Sequence, residues 1–178
     1  ILSLCLFACA FTSSAQRAIN FNADWQMRGE TVTLPRAWNE EYAYRVPIAE
    51  LPDDTVRYVK TFKTPKSWRN KKVFIEFEGA RQAAEVWLNG HHLGLHENGV
   101  MAFGFDLTPY LKYGKENRLE VLTDNDWSYR ERGASTEGEV VKDGNSLPNN
   151  TLAPASFQWN NKNFNANYGG LPKNVRLH

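Results

Sequence analysis

Cysteine is nearly absent from this sequence of 178 residues, and its two copies, Cys5 and Cys9, both lie close to the start. The rest of the chain is therefore expected to use neither disulfides nor thiol chemistry. No apolar run is long enough to span a bilayer. An excess of one charge is also lacking, because 21 Lys and Arg residues stand against 20 Asp and Glu residues. This balance gives no electrostatic reason to expect nucleic acid or an anionic membrane as a partner.

Aromatic residues, in contrast, are frequent. They make up 13% of the chain and include six Trp and seven Tyr. Such an excess favours a β-rich core, stacking surfaces for sugars, or both. A hydrophobic fraction of 42% and a charged fraction of 23% predict one globular domain and exclude general disorder.

The first residues have the features of an export signal. Residues 1–11 form a short apolar run, and Ser13-Ser14-Ala15 before Gln16 fits a cleavage site of small residues. We predict that residues 1–15 are a secretory signal that lacks its basic start, and that residues 16–178 form the mature domain. A buried N-terminal strand or helix is the alternative. The protein is then exported, to the periplasm or the cell exterior if the source is bacterial. Lipid anchoring at Cys9 is a further outcome, which the bulky Phe7 disfavours.

The main part of the chain has the pattern of a β protein. Val73, Ile75 and Phe77 alternate with polar residues, as in a half-buried strand. Similar runs predict strands at 58–62, 84–88, 102–105, 119–123 and 174–178, with turn-rich spacers between them. Thr108 as a cap and Pro109 at the first helical position indicate one helical turn that ends at Gly114. The sequence therefore predicts an all-β fold, a jelly-roll β-sandwich like that of galactose-binding domains.

A long loop rich in asparagine and glycine is expected between residues 124 and 170. Loops of this length in a compact domain are often functional, although a disordered surface insertion is the alternative for 130–152. For 153–170 the aromatic residues favour an ordered structure.

The usual catalytic signatures are missing. The sequence has no glycine-rich phosphate loop, no G-x-S-x-G elbow and no cysteine-based metal spacing. We interpret His91, His92 and His96 as solvated turn residues, with a metal site as the minor alternative, and we assign no metal site and no cofactor. The acidic residues are no more numerous than in any globular domain, so no pair of catalytic carboxylates is assigned.

A set of polar and aromatic residues gives the clearest candidate binding site. Planar amides and carboxylates bind sugar hydroxyls, and aromatic faces stack on sugar rings. The alternative is that the aromatic residues fill the core while the asparagines form turns. The candidate substrate-binding residues are Asp124, Asn125, Asp126, Trp127, Trp159, Asn165, Asn167 and Tyr168.

Several short motifs follow one another in a recognisable order. They are Leu34-Pro35-Arg36-Ala37-Trp38-Asn39, Arg57-Tyr58-Val59-Lys60-Thr61-Phe62, Phe77-Glu78-Gly79-Ala80, Ala84-Glu85-Val86-Trp87-Leu88-Asn89-Gly90, Phe103-Gly104-Phe105-Asp106-Leu107-Thr108, Glu116-Asn117-Arg118-Leu119 and Gly169-Gly170-Leu171-Pro172-Lys173-Asn174-Val175. Together they resemble the N-terminal sugar-binding domain of glycoside hydrolase family 2, which includes β-galactosidases, β-glucuronidases and β-mannosidases. The resemblance extends from about residue 20 to residue 178.

The resemblance implies a jelly-roll sandwich that precedes an immunoglobulin-like domain and a catalytic (β/α)8 barrel. In that family both catalytic glutamates lie in the barrel, so this chain is expected to be an N-terminal fragment without catalytic residues. Its expected partners are a carbohydrate substrate and the downstream domains of the same chain. Lys173 stands where the family usually has Arg, and Asn165 to Asn167 occupy the place of a usual tryptophan. These departures leave the sugar open, with a β-galactosidase-like parent as the default.

Two other functions remain. One is a free-standing carbohydrate-binding module without catalysis, and the other is a β-sandwich that makes protein contacts in a cell-surface assembly. The reading frame beyond His178 distinguishes them from the accessory domain of an exported exo-glycosidase.

Overall fold

The computed structural model describes residues 18–42, 45–46, 52, 54–81, 83–99, 101–125 and 168–178. These residues form short strands joined by turns. The strands are β1 (Ile19–Asn20), β2 (Trp25–Met27), β3 (Glu30–Val32), β4 (Arg36–Ala37), β5 (Thr55–Lys63), β6 (Phe74–Phe77), β7 (Ala83–Leu88), β8 (His91–Glu97), β9 (Phe103–Asp106), β10 (Glu116–Asp124), β11 (Gly170–Leu171) and β12 (Val175–Leu177). Single 3-10 turns occur at Glu40–Tyr42, Lys66–Trp68 and Thr108–Tyr110. Among the residues just given, no helix has the length and apolar character that a membrane crossing requires.

Two antiparallel sheets form the body of the domain. The larger has the order β3-β2-β5-β10-β7-β8, and the smaller has the order β1-β12-β6-β9. β11 pairs with β4 in a separate two-stranded ribbon. Because β1 pairs with β12, the first and last strands of the described chain lie side by side. The predicted all-β sandwich is confirmed.

The core lies between the two large sheets, where the two-residue period of each strand directs alternate side chains inward. β5 contributes Tyr58, β7 contributes Val86 and β10 contributes Val121 from the larger sheet, and β6 contributes Ile75 and Phe77 from the smaller one. These five side chains are almost completely buried. Apolar burial of this kind contributes about 25 cal/mol per Å², so it is the main term that holds the sheets together.

The predicted strands agree with the observed ones in position and differ at their ends. The runs at 58–62, 84–88 and 119–123 fall within β5, β7 and β10, and those at 102–105 and 174–178 overlap β9 and β12. The long Asn/Gly-rich loop predicted between 124 and 170 lies outside the described residues from 126 to 167.

The turn before the histidines is as predicted, but the histidines themselves are not in it. Asn89 and Gly90 have φ values of 54° and 85°, as a tight hairpin turn requires. The chain then continues as β8, which pairs with β7. His96 lies at the inner side of β8, with its ring stacked on Phe103 at a centroid distance of 4.1 Å. The interpretation of His96 as a solvated turn residue is therefore wrong, because a bulge near Trp87 and mixed polar residues hide the strand period of β8.

The helical turn is present at Thr108–Tyr110, but it ends before the predicted Gly114 and is not capped by Thr108. The carboxylate of Asp106, the last residue of β9 and two positions before Thr108, accepts a hydrogen bond from the Thr108 backbone N–H at 2.8 Å. The Thr108 hydroxyl instead accepts from the Val73 backbone N–H at 2.9 Å. Thr108 is thus the first residue of the turn and joins it to the neighbouring strand, while Leu107 occupies the N-cap position without a side-chain cap.

Candidate functional site

One end of the sandwich collects the ends of four neighbouring strands. In the larger sheet Thr55 pairs with Asp124, Asp124 pairs with Ala83, and Ala83 pairs with Glu97. β5 and β7 begin in this row, whereas β10 and β8 end in it. The connections that enter or leave these strands therefore meet at the same end. We call it the loop pole and define it by Asp54, Thr55, Ala83, Glu97, Asp124 and Asn125.

Three of the candidate sugar-binding residues belong to the part of the chain that the structure describes. Asp124 and Asn125 lie at the loop pole, and Tyr168 directly precedes the Gly169-Gly170 pair, which contacts that pole. The other candidates, Asp126, Trp127, Trp159, Asn165 and Asn167, lie outside the described residues. Their sugar contacts stay predictions.

Asp124 and Asn125 are buried rather than presented to solvent. Asp124 is 9% exposed and Asn125 is 0% exposed. The Asp124 carboxylate accepts a hydrogen bond from the Thr55 hydroxyl at 3.1 Å. The Asn125 side-chain oxygen accepts from the Asp54 backbone N–H at 3.0 Å, and its amide nitrogen donates to the Pro52 carbonyl at 3.2 Å. Both side chains therefore hold the start of β5 against the end of β10.

Asn39 completes this arrangement and was not singled out by the sequence analysis. It is 0% exposed, and its side-chain nitrogen donates to the Pro52 carbonyl at 2.9 Å. Its side-chain oxygen accepts from the Gly169 backbone N–H at 2.9 Å. Two buried amides thus converge on one carbonyl oxygen, and we call Asn39, Pro52, Asn125 and Gly169 the amide knot. The Trp38-Asn39 pair of the first family-like motif is the signal that could have identified it.

The Gly169-Gly170 pair is required by close packing at the knot. A Cβ on Gly169 would lie 2.1 Å from Trp38 Nε1 and 2.7 Å from Asn125 Cγ. Gly170 has a φ of 95°, and a Cβ there would lie 2.1 Å from the Tyr58 hydroxyl. That hydroxyl donates to the Arg36 carbonyl at 2.8 Å, and burial raises the pKa of Tyr58. Only glycine lets the chain return to the sandwich between these groups.

Positively charged groups surround the knot in different states of pairing. Arg28 forms an ion pair with Asp54 at 2.5 Å, and its Cζ lies 4.4 Å from the centroid of the Trp38 ring. Arg36 pairs with Glu40. Arg81 is partly buried, and its Nε is shielded from solvent without a hydrogen-bond partner. Burial lowers the pKa of Arg81. The loop pole therefore offers hydrogen-bonding groups and one cation without a carboxylate beside it among the described residues.

A metal site is not formed by these residues. Within the described ranges no three His, Cys, Asp or Glu side chains are grouped closely enough to hold a metal ion.

Comparison with known proteins identifies the family. The model of the glycosyl hydrolases family 2 sugar binding domain matches residues 7–163. A β-glucuronidase of Formosa agariphila is 33% identical over an alignment 190 residues long. The alignment covers 94% of this chain and 17% of the relative. A β-galactosidase of Thermoanaerobacter pseudethanolicus is 33% identical over 140 residues, which cover 69% of this chain and 18% of the relative.

A solved structure agrees with these relatives. A β-glucuronidase from glycoside hydrolase family 2 superimposes with a TM-score of 0.63 at 32% identity, covering 90% of this chain and 17% of that one. The chain thus spans less than a fifth of the length of the relatives it matches. It belongs to glycoside hydrolase family 2, as the sugar-binding domain of that family.

Proposed function

We propose that this domain is the sugar-contacting accessory domain of an exported, exo-acting glycoside hydrolase of β-galactosidase or β-glucuronidase type. Such an enzyme hydrolyses O-glycosidic bonds in carbohydrate metabolism. The names of the matched relatives support the activity, since two of them are a β-glucuronidase and a β-galactosidase. Because the chain spans less than a fifth of each, we place the catalytic carboxylates in a downstream barrel domain.

The amide knot is the observation that carries the role of the domain. It fixes Asn125 and, through Asn39, Gly169 near the start of β5, and the candidates from Asp126 to Tyr168 lie between these two positions in the sequence. A rigid base of this kind suits residues that must meet a sugar at a defined distance. We therefore place the contact with the non-reducing sugar at the loop pole, through Asp126 and its neighbours, with Trp127 as a stacking partner.

The product of the complete reading frame tests this function. We expect it to release single sugars from the non-reducing end of an oligosaccharide and to hydrolyse an aryl β-galactoside or an aryl β-glucuronide. Product analysis over time distinguishes this exo action from internal cleavage. Two observations together would favour the free-standing carbohydrate-binding module instead: a reading frame that stops near His178, and a product that binds sugars without cleaving them.

A further inference from the structure

Arg81 lacks a carboxylate partner, unlike five other arginines in the described part of the chain. Ion pairs are formed by Arg28 with Asp54, Arg36 with Glu40, Arg57 and Arg118 with Glu120, and Arg176 with Glu78. Arg81 makes no ion pair and no side-chain hydrogen bond to any residue in the described ranges. A partly buried cation in this state has lost some of its hydration without a compensating interaction.

The stem of Arg81 is held in place by its surroundings. Its backbone N–H donates to the Gly170 carbonyl at 3.1 Å. A Cβ on Gly99 would lie 3.2 Å from Arg81 Cγ and 3.3 Å from its Nε, so the side chain runs directly across this glycine. The position of the guanidinium is therefore largely fixed before any ligand arrives, which reduces the entropy lost on binding.

The outer part of the guanidinium remains available. Nε is the one nitrogen of this side chain that is both shielded from solvent and without an acceptor in the described structure. Its terminal Nη groups have no acceptor among the described residues either, but unlike Nε they are not shielded, so they keep contact with solvent. Two parallel N–H groups in one plane match the two oxygens of a carboxylate, and Arg forms such bidentate pairs better than Lys.

We propose that Arg81 binds the carboxylate of an acidic sugar at the loop pole, and that it selects uronic acid glycosides over neutral ones. This inference rests on the proposed function, because it needs a sugar bound at that pole. A neutral sugar offers only hydroxyl groups to the guanidinium of Arg81, and hydroxyl groups lack the negative charge that strengthens such a hydrogen bond. Burial lowers the pKa of Arg81. Arginine nevertheless stays protonated in proteins near neutral pH, so the guanidinium keeps its charge.

Binding to the 178-residue chain tests the site itself. We expect the NMR signal of the Arg81 Nε–H group to shift on addition of methyl β-D-glucuronide and to stay in place with methyl β-D-glucoside at equal ionic strength. In Arg81→Gln the glucuronide-induced shifts of the backbone amide signals at the loop pole should be lost. Arg28→Gln removes an equal charge at the same pole and should keep both those shifts and the shift of the Arg81 Nε–H signal. No shift of the Arg81 signal, or an equal shift with both sugars, overturns the inference.

Kinetics of the enzyme that contains the domain test the selectivity. A lost charge-assisted hydrogen bond corresponds to roughly 10- to 100-fold in kcat/KM, so Arg81→Gln should lower kcat/KM for an aryl β-glucuronide by that factor. It should leave an aryl β-galactoside within about twofold, and Arg81→Lys should recover only part of the loss. An equal loss on both substrates, or a crystal structure with Arg81 paired to an acidic side chain of the protein, overturns the inference. If the enzyme cleaves neither substrate, the proposed function fails, and the binding experiment still decides on Arg81.

Discussion

The buried side-chain amide of Asn125 holds backbone groups together at the loop pole. Asn125 satisfies the backbone N–H of Asp54 and also donates to the Pro52 carbonyl, and it does so without any exposed surface. The sequence predicted Asn125 as a site residue from its place after a strand. Its burial could not be predicted from the sequence, because its hydrogen-bond partners lie 71 and 73 positions away and nothing in the local pattern indicates them.

Replacement of Asn125 by Ala should therefore destabilise the domain. Each buried group left unpaired costs about 1–3 kcal/mol, so we expect the free energy of unfolding to fall by about 2 kcal/mol or more. Urea denaturation measures the change. Asn20→Ala is the matched control, since Asn20 is exposed and caps only the Asn22 backbone N–H, and its loss should be well below that of Asn125→Ala. Equal losses for the two variants would argue against the amide knot as a stabilising feature.

Asp126 is the residue whose effect should be seen in activity rather than stability. A lost charge-assisted hydrogen bond to a sugar hydroxyl costs roughly 1.5–3 kcal/mol, or on the order of 10- to 100-fold in catalytic efficiency. Asp126→Ala in the enzyme that contains this domain should reduce kcat/KM by that factor and leave the melting temperature unchanged.

Two further variants locate the sugar contact. If Asn165→Ala or Asn167→Ala reduces kcat/KM while Asp126→Ala has no effect, the contact belongs to the later part of the segment. If all three variants lower only the melting temperature, the residues are structural and the sugar-contact hypothesis is wrong.

At the level of elements, strand length decided what could be predicted. β5, β7 and β10 are long enough for the two-residue period to show, and each was predicted. β1, β4 and β11 have two residues each and are formed through hydrogen bonds to distant partners. No period can be read from two residues, so the ribbon of β4 and β11, which brings the Gly169-Gly170 pair to the loop pole, was missed.

The end of β8 should make the stability of the domain sensitive to acid. Burial lowers the pKa of His96 from its usual value of 6.5, although the backbone at Asn98 and Met101 partly offsets this effect. The unfolded chain then binds a proton more readily than the folded one, so stability falls as the pH drops from above 6.5 toward the lower pKa of the folded state.

His96→Phe should remove this part of the pH dependence while it keeps a ring stacked on Phe103. We expect the free energy of unfolding, measured with urea at about pH 7.5 and pH 5, to decrease less in the variant than in the wild type. An identical decrease in both would show that His96 does not carry the acid sensitivity.

At the level of the whole molecule, composition and motif order predicted more than local patterns did. The aromatic excess and the ordered motifs indicated a family 2 sugar-binding sandwich, and the fold and the family are confirmed. The unpaired state of Arg81 could not be foreseen, since it depends on which side chains fail to approach it in three dimensions.

Export is a property of the whole molecule that stays a prediction. We expect residues 1–15 to be removed, because a short apolar run ends there at small residues. The mass and the N-terminal sequence of the secreted protein should place Gln16 first. A mature protein that retains residues 1–15, or one with a lipid on Cys9, would contradict the predicted signal.

We propose that this domain contacts sugar while the hydrolytic chemistry belongs to another part of the enzyme. Hydrolysis of an aryl β-galactoside and an aryl β-glucuronide by the purified 178-residue chain tests it most directly, with the product of the complete reading frame assayed alongside. We expect the complete protein to hydrolyse one of these substrates and the 178-residue chain to release no more product than a blank. Specific hydrolysis by the 178-residue chain, well above the blank, would contradict it.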